Sequence, residues 1–348
     1  MTPRRSDPPS PRRILIAHRL AVPMAEAIAA ARPGLELRAR QLKEVTADDL
    51  DWADTLVGFR RPRGFGKVRW IHSIGAGVDG FLDLAEPSSP AESSGSAAPS
   101  SRPVQPSALL TRASQPFGQE IGEYVVTRVL AACQHLSRFA EDQRARRWAP
   151  YSPRRARGTR AIVVGMGEVG TGIAEALEAI GVVVTGVARS GRAAEPSRPA
   201  EPSGRAVPPS RSFAVHPVSS LPDLVADADW LVLAAPHTRE SHHLVGRELL
   251  ERCRGAWLVN IARGGLVDEA ALVEALDDGR LAGAALDVFE EEPLPEGSPL
   301  WGHPKVLFSP HVAGVTTVEG AVAGFLECLD ALERGEVPRW VVDWERGY

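Results

Sequence analysis

The sequence predicts an α/β protein built from two doubly wound domains with parallel sheets. Short apolar runs alternate with segments whose apolar residues recur at helical spacing, which is typical of β-α-β units. The chain has 348 residues, a length that favours two domains over one. A glycine-rich turn, GMGEVG at residues 165–170, lies inside the second series of runs and fits the same architecture.

The first domain is predicted from the alternation in the first part of the chain. Strands are expected at Arg13–Ala17, Leu35–Ala39, Thr55–Gly58 and Trp70–Ser73, with a helix at Met24–Ala31. The helical spacing over Glu120–His135 predicts a crossover helix into the second domain. A last helix at Val318–Leu332 is expected to return the chain to the first domain, which makes that domain discontinuous.

The second domain is predicted from a new alternating series that begins at Arg160. Its first strand, RAIVV, precedes the glycine-rich turn and a helix at Val169–Ile180. A further helix is expected at Glu269–Asp277, with Asp268 near its N-terminus. The remaining strands are expected at Val182–Ala188, Trp230–Ala235, Ala256–Ile261, Gly283–Val288 and Val306–Phe308.

Composition excludes several classes of partner. The formal net charge is -4 and the pI about 6.2, which gives no general attraction to nucleic acid or to anionic membranes. No apolar run approaches the roughly 18 residues that a membrane helix needs. Three cysteines occur at spacings that favour neither a metal site nor a disulfide framework, so we expect a cytoplasmic protein without a metal.

A polar tail and two stretches of low complexity are expected to lie outside the folded cores. Residues 1–12 form a polar tail; Arg4 and Arg5 raise the alternative of an export signal, but the apolar segment that such a signal needs is missing. The stretches Glu86–Ser107 and Ser190–Pro209 are too poor in apolar residues to offset their ordering entropy. Both are interpreted as flexible surface loops, with an interaction segment as the alternative.

The glycine-rich turn predicts a Rossmann-like phosphate-binding site. Gly165 permits the tight turn, Gly167 lets the backbone approach a pyrophosphate, and Gly170 allows close packing of helix on sheet. The N-terminus of the following helix offers amide groups and a positive dipole end. A glycine pattern alone is weak, because other nucleotide binders use similar turns; here the strand before it and the helix after it strengthen the prediction.

The end of the next strand favours NADP(H) over NAD(H). An NAD site usually carries Asp or Glu there to bind the ribose hydroxyls, whereas this chain has Ala188, Arg189 and Ser190. Arg189, supported by Arg192, is suited to pair with a 2′-phosphate. The alternative is a solvated arginine at the start of a loop, which leaves the cofactor preference open.

Arg263, Glu292 and His311 each follow an apolar run of the second domain and are the candidate catalytic residues. Reduction of a ketone by a nicotinamide cofactor needs a proton donor that titrates near neutrality, and histidine is the natural choice. Glu292 is suited to orient His311 and Arg263 to bind a carboxylate. Alone, each has a structural alternative: a lone structural histidine, a solvated acidic loop and a surface ion pair. The histidines at 237, 242 and 243 are expected to be solvated.

Four motifs together resemble the D-isomer-specific 2-hydroxyacid dehydrogenases. They are GMGEVG, NIARGGLVDEAAL, GAALDVFEEEPLP and SPHVAG, and the resemblance runs from about Val68 onward, strongest over Arg160–Gly314. In that family the catalytic glutamate immediately precedes a proline, which selects Glu292 over its two acidic neighbours.

The resemblance implies a role for each motif. His311 is the acid/base, Glu292 its partner and Arg263 the substrate-orienting group. The backbone of the IGAGVD loop is implied to bind the substrate carboxylate, through Ala76, Gly77 and Val78. The resemblance also implies nicotinamide-side contacts at Ala235, Pro236, Ser241, Ile261, Ala262 and Asp287. The full set of predicted cofactor contacts adds Gly165, Met166, Gly167, Glu168, Val169 and Gly170 in the turn, Arg189 and Ser190 after the next strand, and Gly314.

The expected function is reduction of a small 2-oxo acid, such as glyoxylate or hydroxypyruvate, to the D-2-hydroxy acid in a cleft between the domains. The predicted substrate domain spans 13–112 and is completed by 313–348; the dinucleotide-binding domain spans 113–312. The resemblance also implies a homodimer, with Trp148 on an arm that crosses the interface. The alternatives are a dinucleotide-sensing interaction protein of the same fold and a dehydrogenase for another small acid, such as phosphite or formate.

Overall fold

The computed structural model describes residues 11–62, 66–82, 108–113, 117–192, 213–344 and 347. The chain divides into two compact units, one formed by Met1–Gln115 with Thr316–Tyr348 and the other by Pro116–Val315. Three predicted features fall outside the described residues: most of the polar tail, the stretch Glu86–Ser107, and the second low-complexity stretch from residue 193 onward.

Strands and helices alternate along the described chain. The strands are β1 (Arg13–Ala17), β2 (Glu36–Arg40), β3 (Thr55–Gly58), β4 (Trp70–Ser73), β5 (Leu109–Arg112), β6 (Arg160–Val164), β7 (Val183–Ala188), β8 (Val215–Pro217), β9 (Trp230–Leu233), β10 (Ala256–Asn260), β11 (Leu281–Leu286) and β12 (Val306–Phe308). The helices are α1 (Ala21–Ala31), α2 (Ala47–Trp52), α3 (Phe117–Cys133), α4 (Leu136–Arg144), α5 (Glu168–Ala179), α6 (Leu221–Leu224), α7 (Arg247–Leu250), α8 (Glu269–Asp277) and α9 (Val318–Glu333).

The first unit is a five-stranded parallel sheet in the order β2-β1-β3-β4-β5. Successive side chains of β1 point to opposite faces, as in any strand. Ile14 and Ile16 pack with residues of α1 and α9 on one face, whereas Leu15 packs with Leu50 of α2 on the other. Both faces of the sheet are therefore covered, which explains the continuous apolar run of this strand.

The second unit is a seven-stranded parallel sheet in the order β12-β11-β10-β9-β6-β7-β8. From β6 the chain builds outward through β7 and β8, then returns to the other side of β6 with β9 and continues to β12. The strand order thus reverses between β6 and β9, and ligands of such sheets bind at the carboxyl ends of the strands near this reversal. The predicted fold class, two doubly wound Rossmann-like units with parallel sheets, is confirmed.

Most predicted elements are confirmed, with shifted ends. The helix at Glu269–Asp277 has the predicted bounds, and the Asp268 side chain caps it by accepting a hydrogen bond from the Ala271 amide at 3.0 Å. Strands β9, β10 and β11 end one or two residues earlier than predicted, because apolar residues also occur in the loop that follows each of them. Strands β5 and β8 and helices α2, α4, α6 and α7 were not predicted; both strands are too short to show a period.

The three cysteines are free and buried. Within the part of the chain that the structure describes, no group of histidine, cysteine and acidic side chains has the arrangement of a metal site. No helix in the same segments combines the length and the apolar character needed to cross a membrane.

Candidate active site

The glycine-rich turn between β6 and α5 has the shape of a phosphate cradle. Gly165 has φ 99°, and a Cβ atom there would lie 2.5 Å from the backbone of Ala234, so only glycine fits. A Cβ atom on Gly170 would lie 1.8 Å from the Gly165 carbonyl oxygen, which brings the helix close to the strand. At Gly167 a Cβ atom would meet no heavy atom of the described residues within 4 Å, so this side of the turn is open to a ligand.

The first turn of α5 points its amides toward that opening. Gly167 is the residue that precedes the helix, and it has no side chain with which to cap those amides. The uncapped N-terminus of a helix attracts anions through its amide groups and its dipole. Met166 is buried and packs beside Gly186 of β7, while Glu168 and Val169 begin the helix. The turn fits the pyrophosphate of a dinucleotide.

The segment after β7 presents basic rather than acidic side chains. Arg189, Ser190 and Arg192 are exposed, and no acidic residue occurs between Ala188 and Arg192. The Ser190 hydroxyl accepts a hydrogen bond from the Arg192 amide at 3.3 Å, and Gly191 has φ 66°. This bend lies beside β8, since a Cβ atom on Gly191 would lie 3.4 Å from Pro217.

The segment after β9 is closed into a turn by Ser241. Its hydroxyl donates to the Pro236 carbonyl oxygen at 2.8 Å and accepts from the Thr238 amide at 2.8 Å. Ala235 is partly buried, and the turn begins directly beyond it. Ala235, Pro236 and Ser241, the cofactor contacts implied for this segment, therefore belong to one turn at the carboxyl end of β9.

Asn260, at the end of β10, shapes the segment that carries Arg263. Its side chain is 1% exposed. The amide oxygen accepts from the Ala262 amide at 3.1 Å, and the amide nitrogen donates to the Arg263 carbonyl oxygen at 2.9 Å. Ile261 and Ala262 are buried in the bend. Arg263 itself is half-buried, and its guanidinium donates to the Ala262 carbonyl oxygen at 2.6 Å.

The segment after Arg263 meets the segment after β11 backbone to backbone. A Cβ atom on Gly264 would lie 1.8 Å from the carbonyl carbon of Phe289, so glycine is required there. This close approach fixes the Arg263 segment against the acidic run that ends in Glu292. Arg263 and Glu292 also interact electrostatically, because the charge of Arg263 is one of the influences that lower the pKa of Glu292.

His311 and Glu292 are joined by a hydrogen bond. The distance from Nδ1 of the imidazole to Oε2 of the carboxylate is 2.8 Å. Oε1 of Glu292 accepts a hydrogen bond from the Phe289 amide at 3.1 Å, so both carboxylate oxygens are engaged. Burial opposes ionisation of Glu292, but His311, the Phe289 amide and Arg263 together lower its pKa. The carboxylate is therefore charged at neutral pH and orients the ring.

The backbone of His311 lies in the left-handed region, with φ 54°. For a residue with a side chain this conformation costs about 1–2 kcal/mol, so neighbouring bonds must hold it. The His311 amide donates to the Asp287 carbonyl oxygen at 2.8 Å. As a result the imidazole is half exposed, and its Nε2 has no hydrogen-bond partner among the described residues. That nitrogen is available to a ligand.

Asp287 anchors the SPHVAG segment. Its carboxylate is 1% exposed and accepts hydrogen bonds from the Ser309 hydroxyl at 2.6 Å, the Val312 amide at 2.9 Å and the Ala313 amide at 2.8 Å. The cofactor contact that the family resemblance implies for Asp287 stays a prediction; in the structure both oxygens bind this segment. Gly314 follows directly, and a Cβ atom there would lie 3.1 Å from Ile121 of α3.

The histidines of the segment after β9 contact one another: His242 and His243 are exposed to solvent, as expected, and His237 is partly buried. Nε2 of His237 lies 3.1 Å from Nδ1 of His242, and the rings of His242 and His243 stack with centroids 3.9 Å apart. Nε2 of His243 lies 2.6 Å from the carboxylate of Glu290, whose amide donates to Glu269 at 2.8 Å. The expectation of solvated histidines missed this link to the acidic run.

The predicted catalytic residues lie at one edge of one sheet. Arg263, Glu292 and His311 follow β10, β11 and β12, which are neighbours in the sheet and parallel. Their carboxyl ends therefore share the edge at which the glycine-rich turn follows β6. Sequence reasoning missed Asn260, Ser309 and Tyr124, which hold this edge in place; a polar residue at the end of an apolar run was the available signal for Asn260.

The predicted substrate loop belongs to the first unit. Residues Ala76, Gly77 and Val78 follow β4, and the buried Ser73 hydroxyl donates to the Gly77 carbonyl oxygen at 2.9 Å. A Cβ atom on Gly75 would lie 2.2 Å from the Phe59 ring, so this loop packs tightly on the segment after β3. Glycine and backbone hydrogen bonding therefore give the loop a defined shape.

Comparisons of the sequence with a family profile and with known proteins identify the same family. Residues 126–313 match the sequence profile of the D-isomer specific 2-hydroxyacid dehydrogenase, NAD binding domain. The chain is 34% identical over 233 residues to a glyoxylate/hydroxypyruvate reductase A of Klebsiella pneumoniae, covering 67% of this chain and 70% of that one.

Solved structures share the architecture over nearly the whole chain. A D-isomer specific 2-hydroxyacid dehydrogenase from Xanthobacter autotrophicus Py2, in complex with NADPH and MES, has a TM-score of 0.79 at 31% identity, covering 98% of this chain and 100% of that one. An NADPH-dependent glyoxylate/hydroxypyruvate reductase from Sinorhizobium meliloti, in complex with NADP and sulfate, has a TM-score of 0.78 at 25% identity, covering 97% and 100%.

Proposed function

Because the chain belongs to the D-isomer-specific 2-hydroxyacid dehydrogenases, which are NAD(P)-dependent oxidoreductases, we propose that it reduces a small 2-oxo acid to the D-2-hydroxy acid. The observation that carries the proposal is the His311–Glu292 pair at 2.8 Å, beside Arg263 and at the edge of the sheet that holds the glycine-rich turn. A binding module without chemistry has no need of an oriented acid at this place.

Each of the three side chains has a task in the proposed reaction. The nicotinamide supplies the hydride when it is bound. His311 donates a proton from Nε2 to the carbonyl oxygen of the acid. Glu292 holds the opposite ring nitrogen and stabilises the protonated imidazole before transfer. Arg263 binds the carboxylate or the carbonyl oxygen of the substrate with its planar guanidinium.

The proposed substrate is glyoxylate or hydroxypyruvate. Two of the similar proteins carry the name glyoxylate/hydroxypyruvate reductase, and this supports the same substrate class here. We assign the amides of Ala76, Gly77 and Val78 to the carboxylate of the acid. In this assignment the first unit is the substrate domain and the second is the dinucleotide-binding domain.

The proposed cofactor is NADPH. Arg189 and Arg192 supply positive charge after β7, and the absence of an acidic residue from Ala188 to Arg192 removes the repulsion that a 2′-phosphate would otherwise meet. The similar structures from Xanthobacter and Sinorhizobium contain NADPH and NADP, which supports this preference.

The proposed assembly is a homodimer. The side chain of Trp148, on the segment after α4, is 99% exposed in the single chain. An indole leaves water favourably when a partner covers it, so this position suits an interface. Light scattering of the intact protein and of Trp148→Ala tests the assignment: a dimer that weakens on substitution supports it, and a monomeric protein contradicts it.

The activity itself is tested by the absorbance of reduced nicotinamide. Purified protein is mixed with NADPH or NADH and with glyoxylate, hydroxypyruvate, pyruvate or a bulkier 2-oxo acid. The proposal predicts oxidation with the two small acids and a higher kcat/KM with NADPH. Oxidation only with the bulkier acid contradicts the substrate class, and equal rates with both cofactors contradict the preference.

A further inference from the structure

A chain of hydroxyl groups leads from α3 to the segment that carries His311. The Ser309 hydroxyl donates its proton to Oδ1 of Asp287 at 2.6 Å. Because a carboxylate at neutral pH only accepts hydrogen bonds, the single proton of Ser309 is used in this bond. The Tyr124 hydroxyl, 2.5 Å from Oγ of Ser309, is therefore the donor in the second bond. The direction of the chain is Tyr124 to Ser309 to Asp287.

Asp287 connects this series of hydrogen bonds to the backbone around His311. Ser309 is 7% exposed and Asp287 is 1% exposed, so water competes little for these bonds. Oδ1 of Asp287 also accepts from the Val312 amide, and Oδ2 accepts from the Ala313 amide. Both amides follow His311, whose own amide donates to the Asp287 carbonyl oxygen. One buried residue thus holds the left-handed turn at His311 from both sides.

Tyr124, the first donor in this series of hydrogen bonds, is held in place by its own helix. Its helix, α3, packs against α5 so closely that a Cβ atom on Gly172 would lie 2.5 Å from the backbone of Gly118. The guanidinium of Arg128 lies 4.5 Å from the centre of the Tyr124 ring. The phenol is therefore held by a helix that is tied to the glycine-rich turn.

We propose that Tyr124 is a positioning residue for His311. Its hydroxyl fixes Ser309, Ser309 orients the Asp287 carboxylate, and that carboxylate sets the backbone that presents the imidazole. This inference rests on the proposed function for its kinetic consequence, because only in a reductase does the placement of His311 determine the rate of proton donation. Its structural consequence, a tightly held segment at 309–313, is independent of the reaction.

The kinetic test compares Tyr124→Phe with Tyr151→Phe. Tyr151 lies in the same unit, on the segment after α4, against Phe139 and Arg138, and serves as the matched control. Loss of one hydrogen bond predicts that Tyr124→Phe lowers kcat about three- to tenfold, with the KM values for NADPH and acid changed less than about twofold. Addition of Tyr124→Phe to Ser309→Ala should cause no further loss, because both act through one chain.

The structural test is amide hydrogen exchange without cofactor or substrate. Tyr124→Phe should speed exchange at Val312 and Ala313 about fivefold, the factor expected when one buried hydrogen bond is removed, while Tyr151→Phe leaves these amides unchanged. Unchanged exchange at Val312 and Ala313 in Tyr124→Phe overturns the proposal. A raised KM with an unchanged kcat overturns it as well. If the wild-type protein turns over no 2-oxo acid, the proposed function fails, and the exchange rates still decide whether Tyr124 holds this segment.

Discussion

Substitution of Glu292 by Gln removes one charge from the candidate active site and keeps the size of the side chain. The amide oxygen of the new side chain can still accept the hydrogen bond from Nδ1 of His311, now 2.8 Å from the carboxylate, but its amide nitrogen cannot accept from the Phe289 amide as Oε1 does. The change therefore removes the charge and one backbone hydrogen bond while the bond to His311 is kept. We expect kcat for reduction to fall, because the protonated imidazole loses the negative charge that stabilises it.

The size of the effect follows from the contact and its exposure. A hydrogen bond between charged groups contributes about 1.5–3 kcal/mol when it is shielded from solvent. Here the side chains of His311 and Glu292 are 51% and 31% exposed, and water screens part of the interaction. A remaining contribution of about 1–2 kcal/mol corresponds to a loss of roughly 5- to 30-fold in kcat.

The difference in rate between the wild type and Glu292→Gln should also depend on pH. Burial opposes ionisation of Glu292, but His311, the Phe289 amide and Arg263 lower its pKa, so the wild-type carboxylate stays charged until the pH falls through that lowered pKa. The rates of wild-type protein and Glu292→Gln should therefore differ at neutral pH and converge in acid.

The assay is steady-state oxidation of NADPH at saturating acid, measured across pH. Glu291→Gln is the matched control, since Glu291 is the neighbouring carboxylate and is exposed. A kcat for Glu292→Gln within twofold of the wild type, or an equal loss in Glu291→Gln, would refute the reasoning.

Three further predictions concern the acid, the cofactor and the stability of the first unit. His311→Ala should lower kcat by about 10²–10⁴, the usual contribution of a general acid, with nucleotide affinity by titration little changed; near-normal turnover would contradict the assignment. Arg189→Asp should raise the Kd for NADPH more than that for NADH, and an unchanged ratio would remove the phosphate-pairing role. Asp49→Ala removes the buried carboxylate that Arg38 and Arg40 bind at 3.0 and 3.2 Å, so urea unfolding should show a loss of about 1–3 kcal/mol. Burial opposes ionisation of Asp49, but its hydrogen bonds and the two arginines lower its pKa, so this loss should shrink as the pH falls through that lowered pKa; a loss that is constant with pH would contradict the ion-pair account.

The fold was predictable because strong local signals agreed with each other. The run RILIA forms β1 over its predicted residues, and Asp268 caps α8 as its position indicates. The glycine-rich turn combined a strand, a required glycine and a helix in sequence. Short edge elements such as β8 carried too few residues for any period to be visible.

The proposed catalytic residues were selected by motifs, whereas the residues that hold them in place are set by tertiary contacts. Tyr124 and Ser309 are 185 positions apart in sequence, and nothing local marks them as partners. The His243–Glu290 pair likewise joins segments that follow different strands. Such pairs depend on strand order, because parallel neighbours bring the ends of distant segments to one edge.

The most direct test of the central claim is one measurement on two proteins. NADPH oxidation is followed with hydroxypyruvate and with glyoxylate, using the wild-type chain beside His311→Ala at equal, nucleotide-binding concentrations. We expect substrate-dependent oxidation by the wild type and its loss, by about 10²–10⁴ in kcat, in the variant. Equal rates in the two proteins, or no oxidation by a wild-type protein that binds NADPH, would contradict it.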